Sequence, residues 1–305
     1  MKYIVIDLEW NQPLKAKDMV TKPFLFDSEI IEIGATRLSA DFEVEDDFKC
    51  FVRPQFYHVM NGDVASLTKI RMQALEKAPS FTEAWALFSD WCGEDFCLCT
   101  WGGNDVPVLM DNLLMHGIET PARCLCCDLQ QIFGHEIMRD GRRWSLENAI
   151  GTLSLPKDRA HDALNDVYNT LRVCERVDLF PYVDEYLVAY VNYGRDRMSG
   201  LFSGRGYSCT EDVIADDEMR SVTCPWCGEQ VMLGEWVQVS PKASLSYGRC
   251  SDGDEFLARF HHKREHETQA LCVSRSVFEM SDMLWEQYQD ALVHMQAGVP
   301  GTVCA

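Results

Sequence analysis

The stretch YIVIDLE (Tyr3–Glu9) decides the fold, because it is a short apolar run that ends in two acids. Its side chains alternate between two faces, and both faces begin apolar, which predicts a β-strand buried inside a sheet. Asp7 and Glu9 fall at the carboxyl end of this strand, where sheets that contain parallel strands tend to bind ligands. Being two residues apart, they leave the same face with Cα atoms roughly 7 Å apart.

Similar patterns along the chain predict a mixed α/β sheet flanked by helices. Further strands are expected over 29–38, 48–52, 96–101 and 124–128. Helices are expected over 84–91, 105–116, 145–150 and 162–177. Ser80 is expected to cap the helix that follows it, and Gly117 to end the helix from 105.

A length of 305 residues is about twice that of a typical domain, so one large and one smaller domain are expected. The predicted parts are a first domain over 1–180, a helical connector and linker over 181–222, a small β-rich zinc-ribbon-like module over 223–280, and a C-terminal helix and tail over 281–305. The glycines within 194–208 predict a flexible boundary.

Composition narrows the class of protein. A hydrophobic content of 47% supports a sizeable core, and no run approaches the ~20 apolar residues of a membrane span. The first residues lead straight into the acidic motif, so no signal peptide is expected. The 14 cysteines are expected to be reduced thiols and a metal site. We therefore expect a cytoplasmic protein that does not bind membranes.

The net charge of −20 is unusual for a protein that binds nucleic acid, because such proteins are usually basic. An acidic protein can still hold a strand end if bound metal ions reverse the sign of the local charge. Lys157 and Arg159, just before a third acidic motif, are the cations most relevant to such a site.

Two further acidic motifs follow the first. Asp105 comes after Gly102-Gly103-Asn104 at a predicted strand-to-helix junction, where an acid often serves only as a partner for the helix dipole. The same junction is where a side chain from a neighbouring strand end would reach Asp7.

The third motif, HDALND (His161–Asp166), cannot present all of its polar groups from one helical face. His161 and Asp166 are five residues apart, about 140° around a helix. We expect His161 in the preceding loop, Asp162 as the helix cap and Asp166 inside the helix. Asp162 and Asp166 remain a rival pair, four residues apart on one face. A histidine side chain ordinarily titrates near ~6.5, which suits a general base.

Together these acids suit a site for hard divalent cations, which prefer oxygen ligands. Two such ions ~4 Å apart can hold both the attacking and the leaving oxygen of a phosphodiester.

The three motifs, with Glu32-Ile33-Gly34-Ala35, resemble the DEDD exonuclease superfamily of the histidine subtype. That group includes RNase T, oligoribonuclease, proofreading subunits and exonucleases related to the sporulation-kinase pathway inhibitor. The resemblance covers roughly residues 1–180. It implies an RNase H-like fold and 3′-to-5′ hydrolysis of single-stranded nucleic acid that releases nucleoside 5′-monophosphates.

The resemblance also implies roles for individual residues. The metal ligands would be Asp7, Glu9, Asp105 and Asp166, which would hold two Mg²⁺ or Mn²⁺ ions, and His161 would be the general base. Thr68 and Asn104 would contact the 3′-terminal nucleotide, although a structural turn is the alternative role for Thr68. Trp10 and Trp101 lie near the motifs, where they would either stack on a base or pack in the core.

A different chemistry is expected near the C-terminus. Cys224-Pro225-Trp226-Cys227-Gly228 has the spacing of a zinc knuckle, and Cys250 is a candidate third ligand. The second pair of cysteines that a zinc ribbon would show is missing. Candidates for the fourth ligand are Asp252, His261, His262, His266 and Cys272. Buried free thiols are the alternative to a structural Zn²⁺.

Three functions are compatible with the sequence. The leading one is a metal-dependent 3′-5′ exonuclease. The second is an oligoribonuclease-like enzyme for very short oligonucleotides, which would suit the acidic composition. The third is a regulatory scaffold that binds a protein or nucleic-acid partner through the C-terminal module. Clustered, mutually repelling carboxylates argue against a pure scaffold, because they cost stability unless metal is bound.

Overall fold

The structure is a computed structural model and describes residues 1–198, 207–264 and 270–296. The chain divides into two compact units. The first comprises Met1–Val20, Leu25–Glu119 and Leu125–Tyr186, and the second comprises Thr21–Phe24, Thr120–Cys124 and the chain from Leu187 onwards.

The first unit is built on a mixed sheet with the strand order β3-β2-β1-β4-β5. Its strands are β1 (Lys2–Asn11), β2 (Glu29–Leu38), β3 (Val44–Phe51), β4 (Phe96–Thr100) and β5 (Arg123–Asp128). β1 and β2 pair antiparallel, as do β2 and β3, whereas β1, β4 and β5 run parallel. The predicted mixed α/β fold of RNase H-like type is confirmed, and its third strand begins four residues earlier than predicted.

The predicted burial of the first strand is also confirmed. Ile4 is completely buried, and Ile6 and Leu8 are each 3% exposed. Because β1 lies between β2 and β4, both of its edges are paired and its apolar side chains are covered. The acids at its end therefore project from a rigid central strand.

Helices flank this sheet, and Phe81–Cys92, Asp105–Met115, Leu146–Thr152 and Ala163–Arg176 lie where the sequence predicted helices, whereas the three shorter ones were not predicted. They are α1 (Gly62–Thr68), α2 (Met72–Leu75), α3 (Phe81–Cys92), α4 (Asp105–Met115), α5 (Leu129–Ile132), α6 (Leu146–Thr152) and α7 (Ala163–Arg176). Ser80 caps α3 as predicted, and the Ser80 N–H donates a hydrogen bond of 2.8 Å to Oε2 of Glu83. α4 ends before Gly117, also as predicted.

α7 begins directly over β2 at Gly34. A Cβ atom at Gly34 would lie 2.3 Å from the backbone nitrogen of Leu164 and 2.4 Å from the carbonyl carbon of Ala163. Only glycine leaves room for this approach. Since Gly34 pairs with Asp7 across the sheet, the same contact brings the first turn of α7 to the acids of β1.

The second unit is rich in β-structure. Its main sheet has the order β6-β12-β11-β10-β9, with a separate hairpin of β7 and β8. The strands are β6 (Val188–Val191), β7 (Ser221–Thr223), β8 (Gln230–Met232), β9 (Val237–Ser240), β10 (Ala243–Arg249), β11 (Glu255–Arg264) and β12 (Leu271–Glu279). Its helices are α8 (Tyr193–Met198), α9 (Thr210–Ala215), α10 (Asp217–Arg220) and α11 (Asp282–Gln296).

The predicted helical connector is wrong over residues 188–191. A 3-10 helix, Phe180–Tyr186, is followed by β6, which pairs with β12. Ala189, Tyr190 and Val191 are buried in this short strand, and its pairing with β12 and its Val and Tyr residues favour extended backbone over helix. The longest continuous part of the second unit thus starts at Leu187, upstream of the predicted module over 223–280.

Some predictions lie outside the described residues. These are the glycines of the expected boundary within 199–206, the candidate ligand His266, and the tail over 297–305. Among the residues that are described, no helix is both long and apolar enough to cross a bilayer.

Candidate active site

Asp7 and Glu9 leave the carboxyl end of β1 on one face of the sheet. Across the pairing with β2, Asp7 lies opposite Gly34 and Glu9 lies opposite Glu32. The register shifts between Glu9 and Trp10, so the regular ladder is disturbed immediately after the second acid. Such irregular strand ends often redirect side chains towards a site.

Asp105 reaches the same place from the neighbouring parallel strand. The chain leaves β4, turns through Gly102 with a φ of 110°, and enters α4 at Asp105. The Oδ1 atom of Asp105 accepts a hydrogen bond of 3.1 Å from the backbone N–H of Leu8, between the two acids of β1. Asp105 is only 8% exposed, so its carboxylate is withdrawn from water.

Asp166 lies in the first turn of α7, and His161 lies in the loop before it. The backbone N–H of His161 donates a hydrogen bond of 2.7 Å to Oδ2 of Asp166, while the histidine side chain is exposed. Asp162 caps α7 by accepting the N–H of Asn165 at 3.3 Å. The prediction of Asp162 as the cap is confirmed.

The motifs converge. A ring nitrogen of His161 and carboxylate oxygens of Glu9 and Asp166 all lie within 4.8 Å of one another. Asp7 is close enough to Asp105, Glu9 and Asp166 for their charges to raise its pKa. Segments that are up to 159 residues apart in sequence, as Asp7 and Asp166 are, therefore meet at one end of β1.

Burial and mutual repulsion raise the pKa values of these acids. Burial raises the pKa of Asp7 well above its ordinary value, and the neighbouring carboxylates raise it further. Burial and then the charge of Asp166 raise the pKa of Glu9 to about 8. Burial raises the pKa of Asp105 to about 7, despite the hydrogen bond from Leu8 that lowers it. At neutral pH such groups hold protons unless a cation takes their place.

This donor set fits hard divalent cations. Mg²⁺ and Mn²⁺ prefer carboxylate oxygens, and the raised pKa values reflect carboxylates that are buried close to one another. Asp7, Glu9, Asp105 and Asp166 are the residues that could supply the oxygens, and His161 stands at the exposed edge of the group.

Lys49 on β3 is a positioning residue that the sequence did not reveal. Its Nζ atom lies 2.6 Å from Oδ1 of Asp162 and 3.1 Å from Oε1 of Glu32. Glu32 is buried, and its other oxygen accepts the N–H of Ala163 at 3.3 Å. The beginning of α7 is thus held by groups from two strands. No local pattern marks Lys49, because its partners are remote in sequence.

Asp128 at the end of β5 is a second such residue. Its Oδ1 atom accepts the N–H of Gly102 at 3.1 Å and also caps α5. It therefore fixes the turn that delivers Asp105, and its charge contributes to the raised pKa of Asp105. The sequence did carry a signal for Asp128, because this acid stands at the end of a predicted strand, as Asp7 and Glu9 do.

The two predicted substrate residues are placed differently. Asn104 is exposed directly before Asp105. Thr68 is 3% exposed, and its hydroxyl donates to the Val64 carbonyl at 2.9 Å and accepts the Ile70 N–H at 3.0 Å. These bonds favour the alternative role of Thr68 in a structural turn.

The nearby basic and aromatic residues are engaged by the protein itself. Lys157 pairs with Glu147 at 2.7 Å, and Arg159 donates to the Thr68 carbonyl at 2.8 Å. The indole N–H of Trp101 donates to the Trp144 carbonyl at 2.9 Å, which favours packing over base stacking. Trp10 is half-buried.

In the second unit, Cys224, Cys227 and Cys250 lie together. A ligand atom from each, and an oxygen of Asp254, all fall within 4.8 Å of one another. Asp254 was not among the candidate fourth ligands. Of the described candidates, Asp252, His261, His262 and Cys272, none belongs to this group.

The sequence of the first unit matches a known family. Residues 4–174 match the family model described as Exonuclease, RNase_T, which is more than half of the chain. The chain belongs to this exonuclease family. The matched range contains Asp7, Glu9, Asp105, His161 and Asp166. Membership supports nuclease activity on nucleic acid, and the family generally uses divalent metal ions.

Solved structures of nucleases are similar to this chain at low sequence identity. Cell-death related nuclease 4 (CRN-4) is 18% identical, covers 59% of this chain and 64% of its own, and has a TM-score of 0.49. The chain therefore spans less than two thirds of that nuclease. The nuclease domain of 3′hExo, a DEDDh family member bound to rAMP, is 21% identical and covers 57% of this chain and 90% of its own, with a TM-score of 0.48.

E. coli exonuclease I in complex with a dA16 oligonucleotide is 13% identical and covers 99% of this chain and 69% of its own, with a TM-score of 0.48. A search of curated proteins gives no match to the chain.

Proposed function

We propose that the chain is a metal-dependent 3′-5′ exonuclease that releases nucleoside 5′-monophosphates from single-stranded RNA or DNA. The observation that carries the proposal is the convergence of Asp7, Glu9, Asp105, His161 and Asp166 at one end of β1, within the part that matches the exonuclease family.

The four carboxylates would hold two Mg²⁺ or Mn²⁺ ions. When bound, these ions supply positive charge that offsets the charge of the phosphate and of the developing transition state. The protein contributes position: β1 fixes Asp7 and Glu9, the Leu8 N–H fixes Asp105, and the cap of α7 fixes Asp166. Placement on rigid elements keeps the ligands in register with the scissile phosphate.

His161 would act as the general base. A ring nitrogen of His161 takes a proton from the attacking water, whose oxygen forms a bond to phosphorus while the bond from phosphorus to the 3′ oxygen breaks. The products are a nucleoside 5′-monophosphate and a strand that is one nucleotide shorter with a 3′-hydroxyl. The exposed side chain and the loop position suit a group that exchanges protons with solvent.

Substrate contacts are part of the proposal. Asn104 is exposed beside Asp105 and is a candidate contact for the terminal nucleotide. Thr68 is the weaker candidate, because its hydroxyl is already bonded within the protein.

A second candidate is an oligoribonuclease-like activity on very short oligonucleotides. The net charge of −20 favours it, because a long strand brings more phosphates close to an acidic protein than a dinucleotide does. A scaffold without catalysis is disfavoured by the raised pKa values of Asp7 and Glu9, which a partner-binding role does not require.

The second unit would hold one structural Zn²⁺ through Cys224, Cys227 and Cys250, and this unit would be the contact for any protein or nucleic-acid partner. The proximity of the three thiols supports zinc. The zinc-ribbon character of the module and the cytoplasmic location stay predictions.

One experiment tests the main proposal. Purified protein is incubated with 5′-labelled RNA, DNA and dinucleotides, with Mn²⁺ or with EDTA. We expect a ladder that shortens from the 3′ end only with metal, 5′-monophosphate products, and protection by a 3′-terminal phosphate. Cleavage within the strand, or a ladder unaffected by EDTA, would contradict the proposal.

A matched pair of variants separates the site from contaminating activity. Asp7→Asn should lower turnover at least ~100-fold, because it removes a charged ligand of the proposed metal ions, whose positive charge would offset that of the reacting phosphate. Asp90→Asn makes the same change at an exposed position on α3 and should leave turnover as in the wild type. Equal rates for the two variants would show that Asp7 has no part in the reaction.

A further inference from the structure

Cys224, Cys227, Cys250 and Asp254 occupy two turns of the second unit. The first two cysteines lie in the turn between β7 and β8, and the other two residues lie in the turn between β10 and β11. Cys224 and Cys250 are buried, Asp254 is half-buried and Cys227 is exposed. Their ligand atoms lie within 4.8 Å of one another, which is the spread that a single metal ion can join.

The distances between these side chains fit a tetrahedral ion. With Zn–S of about 2.3 Å and Zn–O of about 2.0 Å, tetrahedral geometry places sulfur and oxygen ligands about 3.5 Å apart. Oδ2 of Asp254 lies 3.2 Å from Sγ of Cys250 and 3.5 Å from Sγ of Cys224. Oδ2 of Asp254 is therefore about as far from the sulfurs of Cys224 and Cys250 as two ligands of one tetrahedral zinc ion are from each other.

Main-chain hydrogen bonds hold both turns in this arrangement. The Gly228 N–H donates to the Cys224 carbonyl at 3.2 Å, and the Cys250 N–H donates to the Asp254 carbonyl at 3.0 Å. The Asp254 N–H also donates to Sγ of Cys250 at 3.2 Å, a contact that stabilises a thiolate. Because the backbone is already set, binding an ion requires little rearrangement of these ligands.

We infer that Asp254 is the fourth ligand of a closed Zn²⁺ site with three thiolates and one carboxylate. The inference rests on the zinc proposed above and deepens it, because three cysteines alone would leave a position open to water. Four protein ligands exclude a catalytic role for this ion. The site joins the β7–β8 turn to the β10–β11 turn, so the role of the metal is to stabilise the fold of the second unit.

Co²⁺ reports on this site without interference from the acidic site. The full-length protein is freed of metal and titrated with Co²⁺, and the thiolate-to-cobalt absorption in the near ultraviolet is measured. Carboxylate sites give no such band. The wild type should show the band together with the visible absorption of tetrahedral cobalt, and Zn²⁺ should displace the cobalt.

Three variants identify the fourth ligand. Asp254→Asn should weaken cobalt binding at least ~10-fold and shift the visible bands. Asp254→Cys should bind more tightly and raise the thiolate band by about one third, since four thiolates replace three. Asp252→Asn is the control, because Asp252 is in the same turn but outside the group, and it should titrate as the wild type. Circular dichroism of each variant checks that it is folded.

The outcomes separate the two proposals. A thiolate band in the wild type with unchanged affinity and visible spectrum in folded Asp254→Asn would overturn Asp254 as a ligand and leave the three cysteines. Absence of the band in the wild type at saturating cobalt would overturn the zinc site, and this inference with it. Neither result bears on the exonuclease, whose activity is assayed separately.

Discussion

Burial, and then the charges of Asp166 and the other acids nearby, raise the pKa of Glu9 to about 8, so in the absence of metal it holds a proton at neutral pH or repels its neighbours. The same environment makes it a strong ligand once a divalent cation displaces that proton. Stability without metal and affinity for metal are therefore opposed at this residue, and substitutions at Glu9 should change them in opposite directions.

Glu9→Gln should raise the melting temperature in EDTA at pH 8, because it removes one repelling carboxylate. It should also reduce the stabilisation that Mn²⁺ gives to the wild type, since binding to the folded state stabilises by mass action. Differential scanning fluorimetry with EDTA and with millimolar Mn²⁺ measures both effects. A variant that melts lower in EDTA and keeps the full Mn²⁺ shift would contradict this account.

His161 should matter for turnover and little for metal affinity. His161→Ala should lower kcat by about 100- to 10,000-fold, the usual contribution of a general base. The Mn²⁺ shift in melting temperature should persist, because the four carboxylates remain. Hydrolysis rates on 5′-labelled RNA test the loss of turnover, and the fluorimetry described for Glu9 tests whether the Mn²⁺ shift persists. Wild-type turnover in the variant would remove His161 from the reaction.

At the scale of elements, the contact between α7 and β2 positions the third motif. Gly34→Ala places a methyl group where backbone atoms of α7 now stand, 2.3 Å from the Leu164 nitrogen. We expect about 2 kcal/mol of destabilisation from overpacking, and a larger proportional loss of activity because Asp166 moves with the helix. Urea unfolding and RNA hydrolysis measure the two effects.

Gly151→Ala is the matched control. Gly151 lies in α6, and a Cβ atom there meets no other atom within 4 Å. Alanine should stabilise the helix by up to about 1 kcal/mol and leave activity unchanged. If both glycine variants retain full activity, the close approach at Gly34 does not position the site.

His116, at the end of α4, should make the stability of the protein depend on pH. His116 stacks on Phe81, its Nε2 atom is buried without a hydrogen bond in the part of the chain that is described, and burial lowers its pKa to about 4. A histidine with a lowered folded pKa contributes stability above the unfolded value near ~6.5, and loses it as the pH falls towards 4. Acid should therefore weaken the packing of this helix end.

His116→Phe keeps an aromatic ring but cannot take up a proton. Between pH 7.5 and pH 5, the wild type should lose about 1 kcal/mol more unfolding free energy than the variant, after allowing for partial exposure of the ring. Urea unfolding at both pH values gives the difference. An equal loss in the two proteins would show that another group titrates.

Elements with a strong local pattern could be predicted from the sequence. Neighbouring residues alone indicate the buried run before Asp7 and the capping pair at Ser80, whereas the choice of Asp162 as the cap of α7 also used the resemblance to the exonuclease superfamily. β6 could not be predicted, because four residues carry too little periodicity and the strand is fixed by its pairing with β12. The pairing of a short segment with a strand that is distant in sequence cannot be predicted from the residues of that segment.

For the whole molecule, the meeting of the acidic motifs could be anticipated because strand ends and helix starts gather at one edge of a mixed sheet. Side chains that join remote segments of the chain could not be predicted from the sequence. Lys49 bridges β2 and α7, and Asp254 joins Cys224 across two turns, so both depend on the register of strands far apart in sequence. These residues are visible only once the fold is known.

From the net charge of −20 we predict how salt changes kcat/KM on long substrates. A basic nuclease loses affinity steeply as salt rises, because counterions compete with its cations for phosphate. Here the overall charge repels a long strand, and salt screens that repulsion within a Debye length of ~8 Å at 0.15 M. Long substrates should therefore gain, or at least keep, kcat/KM as salt is added.

The measurement compares a 20-nucleotide RNA with a dinucleotide at saturating Mn²⁺, between about 20 and 150 mM NaCl. The value of kcat/KM for the long RNA should stay level or rise while that for the dinucleotide changes little, because the dinucleotide carries few phosphates to be repelled. A steep fall for the long RNA would mean that a local cationic surface governs binding, and that the acidic composition does not set the preferred substrate length.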